Sequence, residues 1–329
     1  MVSQRRTLCL AADAAGLVQA AQLLRGGALV AFPTETVYGL GADATDPRAV
    51  AGVYAAKGRP AFNPLIAHVP DLTAARREGR FSPLAEKLAE AFWPGPLTLV
   101  LPVAQTASVC DLARGGLPTI GLRLPAHATA LALLQAVGRP IAAPSANRSG
   151  HVSPARAQHV LDDLSGRIDA VLDGGDVSVG VESTIVAVLD ERAVLLRPGG
   201  VARAALEKLT GPLVAPQDGV IAAPGMLASH YAPRALLRLD ANELRAGETG
   251  LDFGGRLPGA ALDLSPRGDD VEAAANLYAH LRLLDASGAR MIAVAPVPQD
   301  GLGEAINDRL RRAAAPRDAA AKGIAHELG

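Results

Sequence analysis

One stretch of the sequence combines residue types that could bind a polyanion together with a small polar molecule. Residues 34–38, TETVY, place three hydroxyls and a carboxylate directly after a short apolar run. Lys57 and Arg59 add two cations, and Asn63 and His68 add an amide and an imidazole. Open α/β sheets usually bind ligands where a strand ends in a polar segment bordered by glycine. The order of these residues therefore predicts a ligand site of that kind.

Short predicted elements would bring these side chains to neighbouring strand ends. The apolar run at residues 28–32 has the length and composition of a buried strand, and residues 65–69 form a second such run. Between them, Asp46 as N-cap and Pro47 at the first helical position predict a helix. The two cations would then follow the helix C-terminus. Cations there also compensate the helix dipole, so a solvated helix end is an alternative to a phosphate site.

Strands and helices alternate with short connections in the first part of the chain, which is the pattern of an α/β sheet. We expect an open twisted sheet with flanking helices. Ser153 is the predicted N-cap of one of these helices. The predicted helices are 14–25, 82–92, 128–137 and 154–164, and the further predicted strands are 97–103, 119–124, 140–143, 170–172, 183–189 and 194–196.

A second, smaller α/β unit is predicted after residue 233. Regular periodicity fades over residues 211–233, where prolines accumulate, so this segment reads as a linker. Gly301 and Gly303 hint at a nucleotide loop, but the third glycine of the fingerprint is missing and the loop should follow the first strand. A Rossmann-like accessory unit is the favoured interpretation. Its predicted strands are 235–239, 260–264 and 291–297, and its predicted helices are 271–286 and 304–314.

Composition bounds the class of protein. The chain has 329 residues, 49% of them hydrophobic, and a formal net charge of -1, so it can build two ordinary domains and is not a generally basic nucleic-acid binder. Its two cysteines, Cys9 and Cys110, form no CxxC pair, which argues against a zinc ribbon or a disulfide scaffold. The beginning of the chain is a poor signal peptide, and no apolar run reaches transmembrane length. We expect a soluble cytoplasmic protein.

Seven motifs occur in the order of a known family: PTETVYGLG, AAKGRPAFNPLIAH, PGPLTLVL, TIGLRLP, AAPSANRSG, GVESTIV and LLRPG. On these motifs the chain resembles the YrdC-like threonylcarbamoyl-AMP synthases over roughly residues 11–209. The PGM…HYAP segment also resembles the linker of their longer, two-domain members. The resemblance implies a YrdC-like catalytic domain at 1–210, a linker at 211–233 that closes over the active site, and a Rossmann-like accessory domain at 234–329.

The resemblance also implies the reaction. L-Threonine, bicarbonate and ATP would combine into threonylcarbamoyl-AMP and pyrophosphate, with Mg²⁺ bound mainly through the ATP phosphates. Glu35 or Glu182 could help to hold the ion, but no protein ligand is assigned. The product would supply t6A modification of tRNA through a separate transferase complex. Direct tRNA binding could occur but would not be required, and no membrane partner is expected.

Carried over residue by residue, the family pattern implies two half-sites. Lys57 and Arg59 would be catalytic and would hold the triphosphate, and Arg123 would offer threonine's carboxylate a planar bidentate partner. Glu35 and Glu182 are interpreted as free carboxylates near the site. The implied ATP-binding residues are Lys57, Arg59, Asn63, Thr119, Ser145, Asn147, Ser153, Arg197 and Tyr231, and the implied threonine-binding residues are Thr36, His68, Arg123, Ala143 and Ser183.

Alternatives remain for individual residues and for the whole chain. Ser153 could cap its own helix instead of contacting ATP, and the HYAP segment around Tyr231 could be a simple turn. YrdC-like modules also occur in a hydrogenase-maturation carbamoyltransferase, whose zinc-finger cysteines and acylphosphatase segment this chain lacks. An RNA-binding module is a further alternative, against which the near-neutral charge and scarce aromatic residues count. The C-terminal domain could also be purely structural.

Overall fold

The computed structural model describes residues 6–60, 63–189, 191–214 and 230–316, and most of these belong to one large mixed sheet with helices packed against it. Its strands are β1 (Leu8–Ala11), β2 (Val30–Phe32), β3 (Gly39–Asp43), β4 (Ile66–His68), β5 (Leu97–Pro102), β6 (Thr119–Arg123), β7 (Ile141–Ala142), β8 (Ala170–Asp173), β9 (Thr184–Leu189) and β10 (Arg192–Arg197). They lie in the order β1-β8-β2-β3-β7-β4-β6-β5-β9-β10. The helices are α1 (Ala14–Arg25), α2 (Pro47–Lys57), α3 (Leu72–Glu78), α4 (Pro83–Phe92), α5 (Asp111–Arg114), α6 (Ala128–Val137), α7 (Ala157–Leu164) and α8 (Arg203–Thr210).

A second, four-stranded sheet is entirely parallel and has the order β11-β14-β12-β13. It comprises β11 (Leu236–Arg238), β12 (Thr249–Asp252), β13 (Leu262–Asp263) and β14 (Met291–Val294), with helices α9 (Asp270–Ala286) and α10 (Gly303–Ala314). The glycine-containing loop before α10 is filled by the protein's own groups. The backbone amide of Leu302 donates to Asp270 Oδ2 at 2.7 Å, and Asn307 Nδ2 donates to three carbonyls around the loop.

The α/β class predicted from the sequence is confirmed, and so is the local chemistry that starts and ends helix α2. The side chain of Asp46 accepts from the backbone amide of Arg48 at 2.8 Å, and Pro47 occupies the first turn. Gly58 ends the helix in the left-handed conformation, with φ of 61°. This cap places Lys57 on the last helical turn and sends the chain towards Arg59.

Strand β3 lies in the middle of the sheet, although the sequence analysis predicts only a polar, glycine-bordered segment there. Its sequence, GLGAD, lacks the β-branched and aromatic residues that mark strands. Small residues are needed because a Cβ added to Gly41 would come within 2.9 Å of the Phe32 ring and 3.0 Å of Ile141. Close packing with β2 and its surroundings therefore outweighs strand propensity. Helix α3 and strand β12 were likewise not predicted.

The prediction that Ser153 caps a helix at 154–164 is wrong. Helix α7 begins only at Ala157, and the Ser153 hydroxyl donates to Glu182 Oε1 at 2.6 Å. The backbone of the intervening residues is occupied elsewhere, because the carbonyls of Pro154 and Ala155 accept from Tyr38 and Val177. These bonds hold the segment in an extended path against neighbouring loops.

The two sheets belong to one packed body. Val37, Val152 and Val181, from loops of the large sheet, lie in the same hydrophobic cluster as Leu277 of α9. At the closest approach, a Cβ on Gly180 would lie 2.2 Å from the carbonyl oxygen of Ala274. The helix backbone therefore rests directly on this glycine. Throughout the described ranges, no helix combines the length and apolar character required to span a bilayer.

We expect Gly180→Ala to destabilise the protein by at least about 2 kcal/mol, because the new methyl group would overlap the α9 backbone and φ at this position is +77°. The free energy of unfolding from urea denaturation measures this. The matched control is Gly52→Ala in α2, where the new Cβ would be 3.5 Å from Leu29. A helical Gly→Ala change there should be neutral or stabilise by up to about 1 kcal/mol. Equal stability of the two variants would contradict direct backbone contact at residue 180.

Candidate active site

The ends of the central strands line a cavity that opens to solvent, and the empty space inside it and at its mouth amounts to about 560 Å³. It lies where the turns after β2 and β7 meet the ends of β4, β6 and β10. Its wall is formed by Thr34, Val37, Gly39, Arg59, Leu65, Ile66, His68, Arg123, Ala143, Pro144, Ser145, Glu182, Ser183, Arg197, His230 and Tyr231.

One part of the wall is built by the adjacent ends of β4 and β6. These strands are parallel and the register pairs His68 with Arg123, so the imidazole and the guanidinium lie side by side. Burial, and secondarily the Arg123 charge, lowers the pKa of His68 to about 3, so this ring is neutral at physiological pH. Arg123 Nη2 forms an ion pair with Glu35 Oε1 at 2.8 Å, and both side chains are buried. The interpretation of Glu35 as a free carboxylate is therefore wrong.

Hydroxyl groups support the same part of the wall. Thr34 Oγ1 lies 2.9 Å from Thr36 Oγ1 and donates to the carbonyl of Val37, which fixes the turn after β2. Ser183 Oγ lies 2.7 Å from Thr98 Oγ1 within the sheet. These contacts fix the Thr34 and Ser183 hydroxyls that line the cavity.

A second group of cations lies around Arg59 and Arg197. The Arg59 guanidinium donates to the carbonyls of Asn63 and Pro64, at 3.4 and 3.2 Å. Arg197 Nη2 donates to the carbonyl of Ser183 at 2.8 Å. Burial lowers the pKa of Arg59 to about 10, and repulsion from Arg197 acts in the same direction. Burial also lowers the pKa of Arg197, and repulsion from Arg309 acts in the same direction. Both remain charged near neutral pH and would gain from an anionic ligand.

Lys57 is buried next to this region and contacts the backbone of its wall. Its ammonium donates to the backbone carbonyls of Ser145 and Asn147 and is not part of the cavity wall. Burial, reinforced by Arg59, brings the pKa of Lys57 well below its ordinary value. The Asn147 amide donates to the carbonyls of Arg148 and His151 and thus tightens the same loop. Lys57 and Asn147 consequently shape the turn that presents Ser145.

Glu182 is also paired, contrary to its interpretation as a free carboxylate. Its Oε1 accepts from Ser153, and its Oε2 accepts from Tyr278 and from Arg309 Nε, each at 2.8 Å. Burial would raise the pKa of Glu182, but the Arg309 and Arg197 charges and the hydrogen bonds from Ser153 and Arg309 bring it to about 2. Tyr278 and Arg309 could not be predicted from the sequence, because they lie in the helices packed with the second sheet and belong to no recognisable motif.

The segment 230–233 covers the cavity on one side. Tyr231, in the left-handed conformation with φ of 63°, is 1% exposed and contributes to the wall together with His230. The backbone amide of His230 donates to the carbonyl of Arg312, and that of Ala232 donates to the carbonyl of Gly150. This segment therefore connects the second unit with the first across the cavity. Residues 215–229, including the PGM part of the predicted linker, lie outside the described residues.

The structure thus brings together eight of the fourteen residues implied by the motifs. Those in the cavity wall are Arg59, His68, Arg123, Ala143, Ser145, Ser183, Arg197 and Tyr231. The other six, which do not line it, are Thr36, Lys57, Asn63, Thr119, Asn147 and Ser153. Of these, Thr36, Lys57, Asn63, Asn147 and Ser153 are buried around the wall, whereas Thr119 is partly exposed at the beginning of β6.

We expect His68→Asn to reduce the loss of folding stability that occurs as pH falls. An unfolded histidine titrates near pH 6.5, whereas the folded pKa of His68 is about 3, so the unfolded chain binds the extra proton as pH falls. Stability from this residue is present above pH 6.5 and is lost below it. Between pH 7 and pH 5 the variant should lose about 2 kcal/mol less free energy of unfolding than the wild type. Parallel losses in urea titrations at both pH values would contradict a neutral, buried His68.

Comparison with known proteins agrees with this geometry. Residues 22–199 match the Sua5/YciO/YrdC family profile described as "Telomere recombination", and residues 201–315 match the profile "Threonylcarbamoyl-AMP synthase, C-terminal domain". The threonylcarbamoyl-AMP synthase of Pyrococcus abyssi is 44% identical over 91% of this chain and 94% of its own length. That of Bacillus subtilis is 41% identical over 92% and 93%, respectively.

Solved structures show the same relationship. The crystal structure of P. abyssi Sua5 complexed with L-threonine superposes with a TM-score of 0.85 at 38% identity, over 94% of this chain and 97% of that one. Escherichia coli YciO shares the fold alone, with a TM-score of 0.51 at 22% identity over 59% of this chain and 96% of its own. The expectation drawn from the sequence motifs is confirmed: the chain belongs to the threonylcarbamoyl-AMP synthase family, in its two-domain form.

Proposed function

We propose that the cavity is the site at which this synthase joins L-threonine, bicarbonate and ATP into threonylcarbamoyl-AMP and pyrophosphate. The observation that carries this assignment is the arrangement of buried guanidiniums in the wall. Arg123 lies with His68 and Glu35, whereas Arg59 and Arg197 lie towards Tyr231. Two separate cationic regions in one cavity suit one small carboxylate and one triphosphate.

The Arg123 region has the groups that a free amino acid requires. The guanidinium can bind the carboxylate of threonine, and its ion pair with the buried Glu35 holds it in place. A neutral His68 and the Ser183 hydroxyl can hydrogen-bond the threonine side chain without adding charge. Ala143 offers a small apolar surface for the methyl group. Together these contacts would favour threonine over serine, which lacks that methyl group.

The Arg59 region suits the nucleotide. Arg59 and Arg197 can neutralise phosphate charge, and Ser145 can donate a hydroxyl hydrogen bond. Lys57, interpreted from the motif as a catalytic phosphate ligand, would act through the backbone of the Ser145 turn in the conformation described here. Thr36, Asn63, Thr119, Asn147 and Ser153 are also proposed to lie near the substrates. Only the family motifs support this proposal for these five residues.

The chemistry would depend on positioning and on charge. The threonine nitrogen bonds to the carbon of bicarbonate, water leaves, and the resulting carbamate oxygen attacks the α-phosphorus as pyrophosphate departs. Buried guanidiniums stabilise the charge that accumulates on the phosphates. Tyr231 and His230 limit the access of water, which would otherwise hydrolyse the mixed anhydride.

Mg²⁺ would enter on the ATP phosphates and neutralise part of their charge. In the described ranges no group of three or more His, Cys, Asp or Glu side chains could hold a metal ion, and both Glu182 of the cavity wall and the nearby Glu35 pair with arginine. These residues fit a phosphate-bound ion better than a protein-bound one.

We further assign residues 1–210 to catalysis, 211–233 to covering the site and 234–329 to an accessory domain. The protein would act in the cytoplasm and deliver its product to a separate t6A transferase complex that modifies tRNA. Direct contact with tRNA is not needed for this reaction.

We expect pyrophosphate release from ATP to require threonine and bicarbonate together and to yield a threonylcarbamoyl-adenylate by mass spectrometry. Arg123→Ala should raise the KM for threonine about 10- to 100-fold, and Arg59→Ala should do the same for ATP, because each removes a hydrogen-bonding charge from one half-site. Arg48→Ala, which alters an exposed arginine of α2, is the matched control. Release without threonine, or equal effects of Arg123→Ala and Arg59→Ala on both substrates, would refute the assignment.

A further inference from the structure

We propose that the second domain is part of the active site: Arg309 and Tyr278 are positioning residues that hold Glu182 and the turn after Arg197, and thereby position Arg197 for the triphosphate. The inference deepens the proposed function and rests on its assignment of Arg197 to ATP. It assigns to α9 and α10 a role in nucleotide affinity in addition to a structural one.

The first observation is the complete coordination of Glu182 by groups from both domains. Its carboxylate belongs to the cavity wall and is 7% exposed. Ser153 of the first domain donates to Oε1 at 2.6 Å. Tyr278 and Arg309 of the second domain donate to Oε2, both at 2.8 Å. Because a buried carboxylate without donors would be costly, these contacts determine where the Glu182 charge lies.

The second observation is the placement of Arg309, which is 1% exposed despite its charge. Its Nη1 donates to the carbonyl of Pro198 at 3.0 Å, the residue directly after Arg197. Its guanidinium carbon lies 5.1 Å from the centre of the Tyr231 ring, within range of a cation–π interaction. The Tyr278 ring also stacks on the Tyr231 ring, with 5.8 Å between the two ring centres. The Arg309 side chain of α10 therefore contacts the Glu182 carboxylate, the turn after Arg197 and Tyr231 of the segment 230–233.

These contacts explain how Arg197 stays directed at the cavity. Glu182 and Arg197 are close enough to interact electrostatically, and Arg197 donates to the carbonyl and the hydroxyl of Ser183, the residue after Glu182. Arg309 and Tyr278 already satisfy Glu182 Oε2. If they were removed, Glu182 would lose both of its donors from the second domain, and its carboxylate would attract Arg197, another guanidinium whose charge acts on it. Arg197 would then bind phosphate less well.

The decisive experiment measures the affinity for ATP by calorimetry and the KM values for ATP and threonine by pyrophosphate release. We expect Arg309→Met to weaken ATP binding and to raise the KM for ATP at least about tenfold, with the KM for threonine changed less than about twofold. Tyr278→Phe removes only the hydroxyl and keeps the ring that stacks on Tyr231. It should raise the KM for ATP about three- to tenfold.

A rescue variant distinguishes this mechanism from a general loss of packing. Glu182→Gln combined with Arg309→Met removes the charge that would capture Arg197, so the double variant should bind ATP better than Arg309→Met alone. If Arg309→Met does not fold, Tyr278→Phe alone decides. Unchanged ATP affinity in a folded single variant, or equal loss for threonine and ATP, would overturn the inference.

The matched control addresses domain docking. Glu304→Gln breaks the ion pair with Arg203, which also connects α10 to the first domain but lies away from the cavity. It should leave both KM values within about twofold of the wild type. A defect equal to that of Arg309→Met would attribute the effect to docking and would overturn the inference. A wild type that binds ATP without turnover would refute the proposed function alone, because the calorimetric comparison still tests Arg309 and Tyr278.

Discussion

Buried positive charge is the constraint on which the rest of the structure depends. Charged side chains are almost never fully buried unless they are paired. Here four guanidiniums and one ammonium surround or support a single cavity with two carboxylates among them. The buried cations are Lys57, Arg59, Arg123, Arg197 and Arg309, and the carboxylates are Glu35 and Glu182. Backbone carbonyls at turns supply most of the remaining acceptors, and a polyanionic substrate complements the excess positive charge.

The buried cations need carbonyl acceptors, and this need accounts for the composition of the motifs. A carbonyl is most open to a buried side chain where the chain leaves its strand or helix, and the buried cations lie beside such turns. Prolines and glycines at these turns, such as Pro64, Gly95 and Pro198, stop the regular ladder and leave carbonyls for Arg59, Arg123 and Arg309. The sequence PGP, the NP dipeptide and the RPG turn are thus as necessary to the electrostatics as the charged residues.

The sequence predicted what local chemistry determines. The α/β class, the start of α2 at Asp46–Pro47 and eight residues of the cavity wall follow from capping rules, periodicity and motifs. It did not predict strand β3, whose glycines are explained only by the approach of Phe32 and Ile141. It also could not predict the partners of Glu182, because Tyr278 and Arg309 lie about a hundred residues away and carry no local signature. Long-range pairing of single side chains leaves no pattern in one sequence.

The contact at Gly180 has a consequence for how the two halves of such enzymes can be exchanged. Since the α9 backbone rests on a residue without a side chain, this junction tolerates almost no variation in shape. A chimaera that joins the first half of one relative to the second half of another must match the glycine, the carboxylate and its two donors from the second half as one set. The two halves should therefore vary together among relatives. A hybrid that mismatches these positions would be impaired although each half works with its own partner.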